Sequence, residues 1–215
     1  MQRNVFQDKT IAESYDNYYR TDFGITVDSI EKKIIDELLN SLSSREMLEL
    51  GCGTGHWTEH FEKLGYSVTA LDISQPMLDI AEKRDLKADF LKADAEALPF
   101  RDGSMSLITS ITMLEFVDDL EKALSEMRRV LKKGGSLVLG CLNAESLLGK
   151  NKQNDPTFKN AVFFTDEDFE TKFSGFEIVK IRKGIYLRPD YSLADEAEDK
   201  EEYEPAFTGI SFRRK

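Results

Sequence analysis

The chain has 215 residues and a formal net charge of −11, with 32% charged and 40% hydrophobic residues. This length suits one domain with a sizeable core, and scattered Lys and Arg in an acidic chain argue against a nucleic-acid surface, which needs clustered cations. Two cysteines, Cys52 and Cys141, cannot build a disulfide framework or a CxxC metal pair, so we expect free thiols. No apolar stretch reaches membrane-spanning length and the polar first ten residues lack a signal peptide's apolar region, so we expect a cytoplasmic protein.

Residues 1–45 are predicted to form a helical cap. An aromatic cluster, Ser14 to Tyr19 (SYDNYY), comes first, and its tyrosine rings suit either contact with a cationic ligand or packing against the domain. Apolar residues at helical spacing then predict an amphipathic helix that packs on the sheet: Ile30, Ile34, Ile35, Leu38, Leu39 and Leu42.

The most informative segment is MLELGCGTGHWT, residues 47–58, a short apolar strand that ends in Glu49 and opens through glycines into a helix. Gly51, Gly53 and Gly55 allow a sharp turn and a close approach of a ligand to backbone N–H groups. The third glycine comes one residue earlier than in the dinucleotide fingerprint G-x-G-x-x-G. A carboxylate facing this loop would repel a pyrophosphate, whereas it would suit the sulfonium of S-adenosylmethionine (SAM).

Two other interpretations of this loop are weaker. Cys52 lies near a helix N-terminus, but the sequence supplies no partner base that would make it a nucleophile. The run His56 to His60 matches the zinc pattern H-x-x-E-H without a third ligand, so we expect a surface-facing histidine pair and no bound metal.

The next strand, Tyr66 to Ile73, ends in Asp72, about twenty residues beyond the loop. A carboxylate there can accept both ribose hydroxyls of any ribose-bearing cofactor, although a strand-end turn residue is the alternative. Ser74 is a predicted N-cap for the helix that follows. Met77 in that helix suits either contact with adenine or ordinary core packing.

Strands and helices then alternate. A third strand, 89–93, precedes the segment DAEALPF (94–100); a fourth, 106–111, precedes a helix over 118–131; and Gly134-Gly135 stop that helix before a fifth strand at 136–142. This order predicts a parallel, doubly wound α/β sheet with ligands at the carboxyl ends of the strands. Gly51, Asp72, Asp94 and Ile111 all fall at those ends.

The glycine loop, the DAEALPF segment and the Y-D-x-x-Y pattern of Tyr15 to Tyr19 together resemble the class I SAM-dependent methyltransferases, closest to the group that includes ubiquinone and menaquinone biosynthesis enzymes. The resemblance implies a Rossmann-like seven-stranded sheet, mostly parallel with an antiparallel last strand and with helices on both faces. It also implies a cofactor core at 46–142, a substrate-side segment at 143–215, and SAM as cofactor with S-adenosylhomocysteine as product. The implied cofactor-binding residues are Tyr15, Tyr19, Glu49, Gly51, Cys52, Gly53, Gly55, Asp72, Ile73, Met77, Asp94, Ala95, Glu96 and Ile111.

The last part of the chain carries the predicted substrate-selecting segment, an irregular and polar stretch at 143–161. A capping box at Thr165 to Asp168 predicts a helix to about Phe173, followed by a strand at 176–187 and a final strand at 207–214. The acidic run 195–204 is most simply a solvated loop.

We expect methyl transfer to a small-molecule acceptor by a monomer or homodimer. Glu115, where the family more often has histidine, is the best candidate for a general base, and a solvent-facing turn residue is the alternative. Two other functions stay open at this point, namely a SAM-binding sensor or scaffold without catalysis and a nicotinamide-dependent reductase.

Overall fold

A computed structural model describes residues 5–194 and 202–215, and a seven-stranded sheet runs through this part of the chain. The strands are β1 (Glu46–Leu50), β2 (Ser67–Asp72), β3 (Asp89–Lys92), β4 (Met105–Ile111), β5 (Leu131–Leu142), β6 (Phe176–Gly184) and β7 (Phe207–Arg214). The helices are α1 (Lys9–Tyr15), α2 (Asp22–Leu39), α3 (His56–Lys63), α4 (Gln75–Ala81), α5 (Leu120–Val130), α6 (Leu147–Asn151) and α7 (Asp166–Thr171).

The strand order is β3-β2-β1-β4-β5-β7-β6. Strands β1 to β5 pair in parallel, while β7 inserts between β5 and β6 and is antiparallel to both. The predicted fold class, a mostly parallel seven-stranded sheet with an antiparallel last strand, is therefore confirmed. The order reverses direction between β1 and β4, which opens a crevice at the carboxyl ends of these two strands.

Alternate residues of each strand point to opposite faces of the sheet. Since both faces carry apolar side chains, helices cover both of them. Val138 of β5 belongs to the core under α2 and α3, together with Ile35 and Phe61. Its neighbours Leu137 and Leu139 belong to the core under α5 and α7. Both layers are fully buried, as expected for a sheet enclosed between helices.

The predicted helix starts are confirmed by their caps. Ser74 Oγ accepts a hydrogen bond from the Met77 N–H at the start of α4. At the start of α7, Thr165 and Asp168 form the reciprocal capping box, in which each side chain accepts from the other residue's backbone N–H.

Two predicted strand boundaries were wrong, namely the start of β5 and the end of β6. Gly134 and Gly135 do not separate α5 from a strand at 136, because β5 already begins at Leu131. The register passes from Met105↔Leu131 to Leu107↔Ser136, so residues 132–135 bulge out opposite Ser106 alone.

The strand predicted at 176–187 ends at Gly184, since Ile185 has a left-handed φ of 65° that cannot continue a strand. The segment predicted as irregular contains the short helix α6. Within the described ranges, no helix is both long and apolar enough to cross a membrane. Most of the acidic run predicted as a solvated loop, residues 195–201, lies outside the described residues.

Candidate active site

The main cavity lies at the carboxyl ends of β1, β2 and β4, where the fold places its crevice. Ten of the fourteen residues predicted to bind a cofactor line it: Tyr15, Gly51, Gly53, Asp72, Ile73, Met77, Asp94, Ala95, Glu96 and Ile111. The sequence separates these residues by as much as 96 positions, and the sheet brings them to one edge.

The glycine loop forms one wall, and its first two glycines have different physical tasks. Gly51 has φ +76°, and a Cβ there would lie 2.2 Å from Met113 Cγ, so no side chain fits. Gly53 has φ +55°, and a Cβ there would meet nothing within 4 Å. Since Gly53 lines the cavity, the space left by its missing side chain is room for a ligand.

Asp72 fixes the loop against the end of β2. Its two carboxylate oxygens accept hydrogen bonds from the Gly53 N–H and the Ser74 N–H, both at 2.8 Å. Burial raises the pKa of Asp72, and these backbone donors oppose that rise. Each oxygen retains a lone pair for a further donor, so the residue can still receive a ligand hydroxyl.

The charged side chains that line the cavity, among the residues described, are all acidic: Asp72, Asp94, Glu96 and Asp118. Asp94 accepts from the Glu96 N–H at 2.9 Å, and Glu96 accepts from the Asp119 N–H at 2.8 Å, so the loops after β3 and β4 are tied together. A cavity walled by carboxylates attracts a cation and repels a pyrophosphate.

An apolar rim, which the sequence reasoning missed, closes the cavity on its other side. Phe6 packs edge-on against Phe116 with ring centroids 4.9 Å apart, and Met113 and Val117 stand beside them. Ser74 Oγ donates to the Phe6 carbonyl at 2.6 Å and so anchors the N-terminal turn over the cavity. Residues 112–118 directly follow β4, so the carboxyl-end rule could have found them, whereas no sequence signal marks Phe6.

A polar cluster holds α1 onto the glycine loop; we call Asp16, Thr54 and Arg84 the α1 latch. Thr54 Oγ1 donates to Asp16 at 2.6 Å, and Arg84 donates to the second Asp16 oxygen at 2.5 Å. Arg84 also donates to the Thr54 carbonyl at 2.7 Å and pairs with Glu59 at 3.0 Å. The latch therefore fixes the segment that carries Tyr15 and Phe6.

Four predicted cofactor residues do not line the cavity. Glu49 is buried on the α3 side of β1, where its carboxyl accepts from Thr58 Oγ1 at 2.6 Å, and burial raises its pKa to about 8. The expectation that this carboxylate faces the ligand is wrong, because alternation along β1 turns position 49 toward α3. Gly55 is the left-handed N-cap residue of α3.

Tyr19 and Cys52 are the other two. The Tyr19 ring stacks on His56 with centroids 3.7 Å apart. Cys52 and Cys141 are free and buried, and burial raises the pKa of both thiols, which makes them poor nucleophiles at neutral pH.

Glu115, the candidate general base, is 1% exposed in the turn after β4, so the solvent-facing interpretation is wrong. Its Oε1 accepts from the Leu142 N–H at 2.7 Å, and its carbonyl accepts from the Val162 N–H at 2.8 Å. Oε2 is buried without a hydrogen-bond partner among the described residues, and burial raises the pKa of this carboxyl to about 7. Glu115 does not line the cavity, but it ties the ends of β4 and β5 to the segment predicted to select the substrate.

The two histidines of the H-x-x-E-H run each donate to a carboxylate of α2. His56 pairs with Asp28 at 2.7 Å and His60 with Asp36 at 2.8 Å. These pairs, one helical turn apart on α3, join α3 to α2. In the described part of the chain, no group of three or more His, Cys, Asp or Glu side chains is placed to hold a metal ion.

Comparison with known proteins decides the family. A family model described as a methyltransferase domain matches residues 48–139, the segment that carries the cavity. The uncharacterized protein MJ1123 of Methanocaldococcus jannaschii is 35% identical over 216 residues, covering 97% of this chain and 98% of that protein. A crystal structure of a SAM-dependent methyltransferase from Thermotoga maritima, described as a possible histamine N-methyltransferase, superposes with a TM-score of 0.72 at 27% identity over 96% of this chain and 98% of that one. The chain belongs to the SAM-dependent methyltransferase family.

One curated relative with a named substrate matches only part of this chain. The malonyl-[acyl-carrier protein] O-methyltransferase of Serratia marcescens is 34% identical over 122 residues, which are 55% of this chain and 48% of that enzyme. The present chain thus spans about half the length of the Serratia enzyme. This partial match does not identify the methyl acceptor of the present chain.

Proposed function

We propose that this methyltransferase binds SAM in the main cavity and transfers its methyl group to a small-molecule acceptor by in-line displacement. The observation that carries the proposal is the charge of the cavity, since every charged side chain among its described lining residues is a carboxylate. A cationic sulfonium is favoured there, and the pyrophosphate of a nicotinamide dinucleotide is disfavoured. When bound, SAM would supply a methyl group attached to a sulfonium sulfur. The leaving group would be the neutral thioether S-adenosylhomocysteine.

The residues present fit this cofactor. The open space beside Gly53 accommodates a ligand against the backbone, and Asp72 beside it is held ready to accept from ribose hydroxyls. Met77 and Ala95 are both buried and both line the cavity, so they offer apolar contact to a purine ring. Asp94, at the same edge, is proposed to accept from the exocyclic amino group.

The chain's contribution to the reaction is alignment and exclusion of water. Phe6, Met113 and Phe116 form the apolar rim through which an acceptor must reach the methyl group. Holding two reactants in the productive geometry can supply roughly 7–11 kcal/mol of the barrier in favourable cases. The apolar rim suits a small acceptor group, and the acidic composition with scattered Lys and Arg disfavours a nucleic-acid acceptor.

Glu115 is proposed as a positioning residue, since its carboxyl is held by the Leu142 N–H and lies outside the cavity lining. Glu115→Gln keeps an oxygen that accepts from Leu142, whereas Glu115→Ala does not. We expect the Gln variant to retain kcat within about threefold and the Ala variant to lose about tenfold or more. If Glu115 instead acts as the general base, both variants lose activity by about a hundredfold or more. In that case the kcat of the wild type rises with pH through about 7, and neither variant shows this rise.

Methyl release tests the proposed function. The protein is incubated with methyl-labelled SAM and a panel of small amines, alcohols, thiols and carboxylic acids, and transfer of the label is measured beside an Asp72→Asn control. The proposal expects transfer to at least one class, and the control should be slower at subsaturating SAM. Tight SAM binding with no transfer to any acceptor would favour a sensor or scaffold, while NADH binding without SAM binding would favour a reductase.

A further inference from the structure

A second cleft lies at the opposite edge of the sheet from the main cavity, at the amino ends of β4 and β5. Its volume is about 340 Å³, within the range of small-ligand sites. The described residues that line it are Ser41, Leu42, Ser43, Ser44, Ser106, Leu107, Lys132, Lys133, Gly134, Gly135, Ser136 and Arg213. We call it the basic cleft.

The charge of the basic cleft is opposite to that of the molecule. Its charged lining residues, as far as the structure describes the chain, are Lys132, Lys133 and Arg213, in a protein whose formal net charge is −11. Neither Lys133 nor Arg213 forms an ion pair with any described residue. Glu177 lies opposite Arg213 in the β6–β7 register, but the two side chains form no ion pair within 4 Å. Two cations thus border the same cleft without an ion-pair partner within 4 Å among the described residues.

The backbone gives this cleft a fixed shape. Residues 132–135 form the bulge that opposes Ser106 alone, and Lys132 Nζ donates to Ser106 Oγ at 2.9 Å across it. Gly134 has φ +74°, and a Cβ on Gly135 would lie 2.8 Å from the Lys132 carbonyl oxygen. The left-handed φ therefore favours glycine at position 134, and the close approach of the Lys132 carbonyl excludes a side chain at position 135.

Serine hydroxyls complete the lining. Ser136, at the end of the bulge, lies opposite Arg213 in the β5–β7 register, so the two side chains share one face of the sheet. Arginine, lysine and hydroxyl donors that line one cleft are the groups that recognise a phosphate in proteins. A phosphate offers more oxygens and more negative charge than a carboxylate, so it can accept from more of these donors at once.

We propose that the basic cleft binds the phosphate group of a small anionic ligand, at a site separate from the methyl-transfer cavity. The inference stands on the cleft, its cations without ion pairs and its hydroxyl groups, and it does not depend on the proposed function of the main cavity.

Inorganic phosphate is the probe. The full chain, labelled with ¹⁵N, is titrated with phosphate at constant ionic strength held with chloride, and amide shifts are followed by NMR. We expect saturable shifts at Gly134, Gly135 and Ser136. Lys133→Ala and Arg213→Ala should each weaken phosphate binding about tenfold or more, Lys133→Arg should stay within about threefold of the wild type, and Lys33→Ala, at an exposed lysine of α2, should change nothing.

The same titration repeated with saturating S-adenosylhomocysteine separates the two sites. Once calorimetry has shown that S-adenosylhomocysteine binds, unchanged phosphate affinity supports the proposal, whereas competition would place the phosphate in the main cavity and overturn it. Shifts that grow linearly with phosphate, or that respond equally to Lys33→Ala and Lys133→Ala, would show non-specific screening and would also overturn it. Because Lys133 and Arg213 are exposed, their variants are expected to fold, which thermal unfolding of each variant checks.

Discussion

The two sides of the main cavity are built in different ways. The acidic side comes from the loops after consecutive strands, so Gly51, Asp72 and Asp94 each lie within a few residues of a strand end. The apolar rim joins Phe6, near the N-terminus, to Phe116, which is 110 positions away, and Glu115 links this side to Val162. The first side is determined by local loop chemistry and the second by long-range packing, so substitutions should affect them differently.

The largest expected effect is on the acidic side, at the first glycine of the loop. Gly51→Ala should lower the free energy of unfolding by about 4 kcal/mol, because the methyl group meets Met113 and the left-handed φ is strained. Gly53→Ala is the matched control, with a similar φ and no neighbour within 4 Å, and should cost only about 1 kcal/mol. Chemical denaturation measures both, and equal losses would contradict the different tasks assigned to the two glycines.

The next largest effect is the contribution of Glu115, on the side of the apolar rim, to the free energy of unfolding, and it depends on pH. Burial raises the pKa of Glu115 from 4.5 to about 7, so the folded state binds a proton more tightly than the unfolded state. The stabilisation is fully present below pH 4.5 and is lost as the pH rises through 7, amounting to about 3 kcal/mol. Glu115→Gln removes this contribution.

The measurement is the difference in unfolding free energy between the wild type and Glu115→Gln, taken at pH 4 and pH 8.5. The variant should gain about 3 kcal/mol relative to the wild type over this interval. A difference that stays constant with pH would show that Glu115 is not a buried acid. The comparison isolates Glu115, because Glu49, whose pKa is also raised, is unchanged in both proteins.

Ligand affinity gives the third prediction. Asp72→Asn should weaken S-adenosylhomocysteine binding roughly 30-fold, because an amide has one acceptor atom for two backbone donors and lacks the charge. Asp89→Asn, at an exposed carboxylate at the start of β3, is the control and should bind like the wild type. Calorimetric titration compares the three proteins, and an unchanged Kd in Asp72→Asn would remove this residue from the site.

The smallest effect concerns the α1 latch. Asp16→Asn should cost about 1 kcal/mol and speed amide hydrogen exchange in residues 5–16 about fivefold, since the partly exposed pair with Arg84 loses its charge. Glu13→Gln removes the exposed pair with Lys9 on the same helix and should leave exchange unchanged. Equal exchange in the two variants would mean that the latch does not hold the segment.

The same local and long-range distinction explains how far the sequence could predict the structure. The alternation of strands and helices, the fold class and ten of the residues that line the cavity followed from short motifs, because a glycine loop or a strand-end aspartate acts within its own neighbourhood. Glu49 was misplaced because a single polar residue in an apolar strand does not reveal which face it joins. Phe6 was missed because its position depends on a hydrogen bond to Ser74, 68 positions away.

Gly134 and Gly135 show a further limit of sequence patterns. A glycine pair after an apolar helix is typical of a helix stop, yet here the pair forms a bulge within β5, because Leu131 already pairs with Met105 of β4. Only the neighbouring strand distinguishes the two outcomes. The basic cleft could not be predicted from the sequence either. Lys133 and Arg213 are 80 positions apart, and the pairing of β5 with β7 brings them to the same cleft.

Binding of S-adenosylhomocysteine to the wild-type protein tests the central claim most directly. Calorimetric titration should show one site per chain with a Kd in the micromolar range, and NADH should give no heat under the same conditions. No heat with either SAM or S-adenosylhomocysteine at high micromolar concentration, or saturable binding of NADH alone, would contradict the assignment of this acidic cavity to SAM.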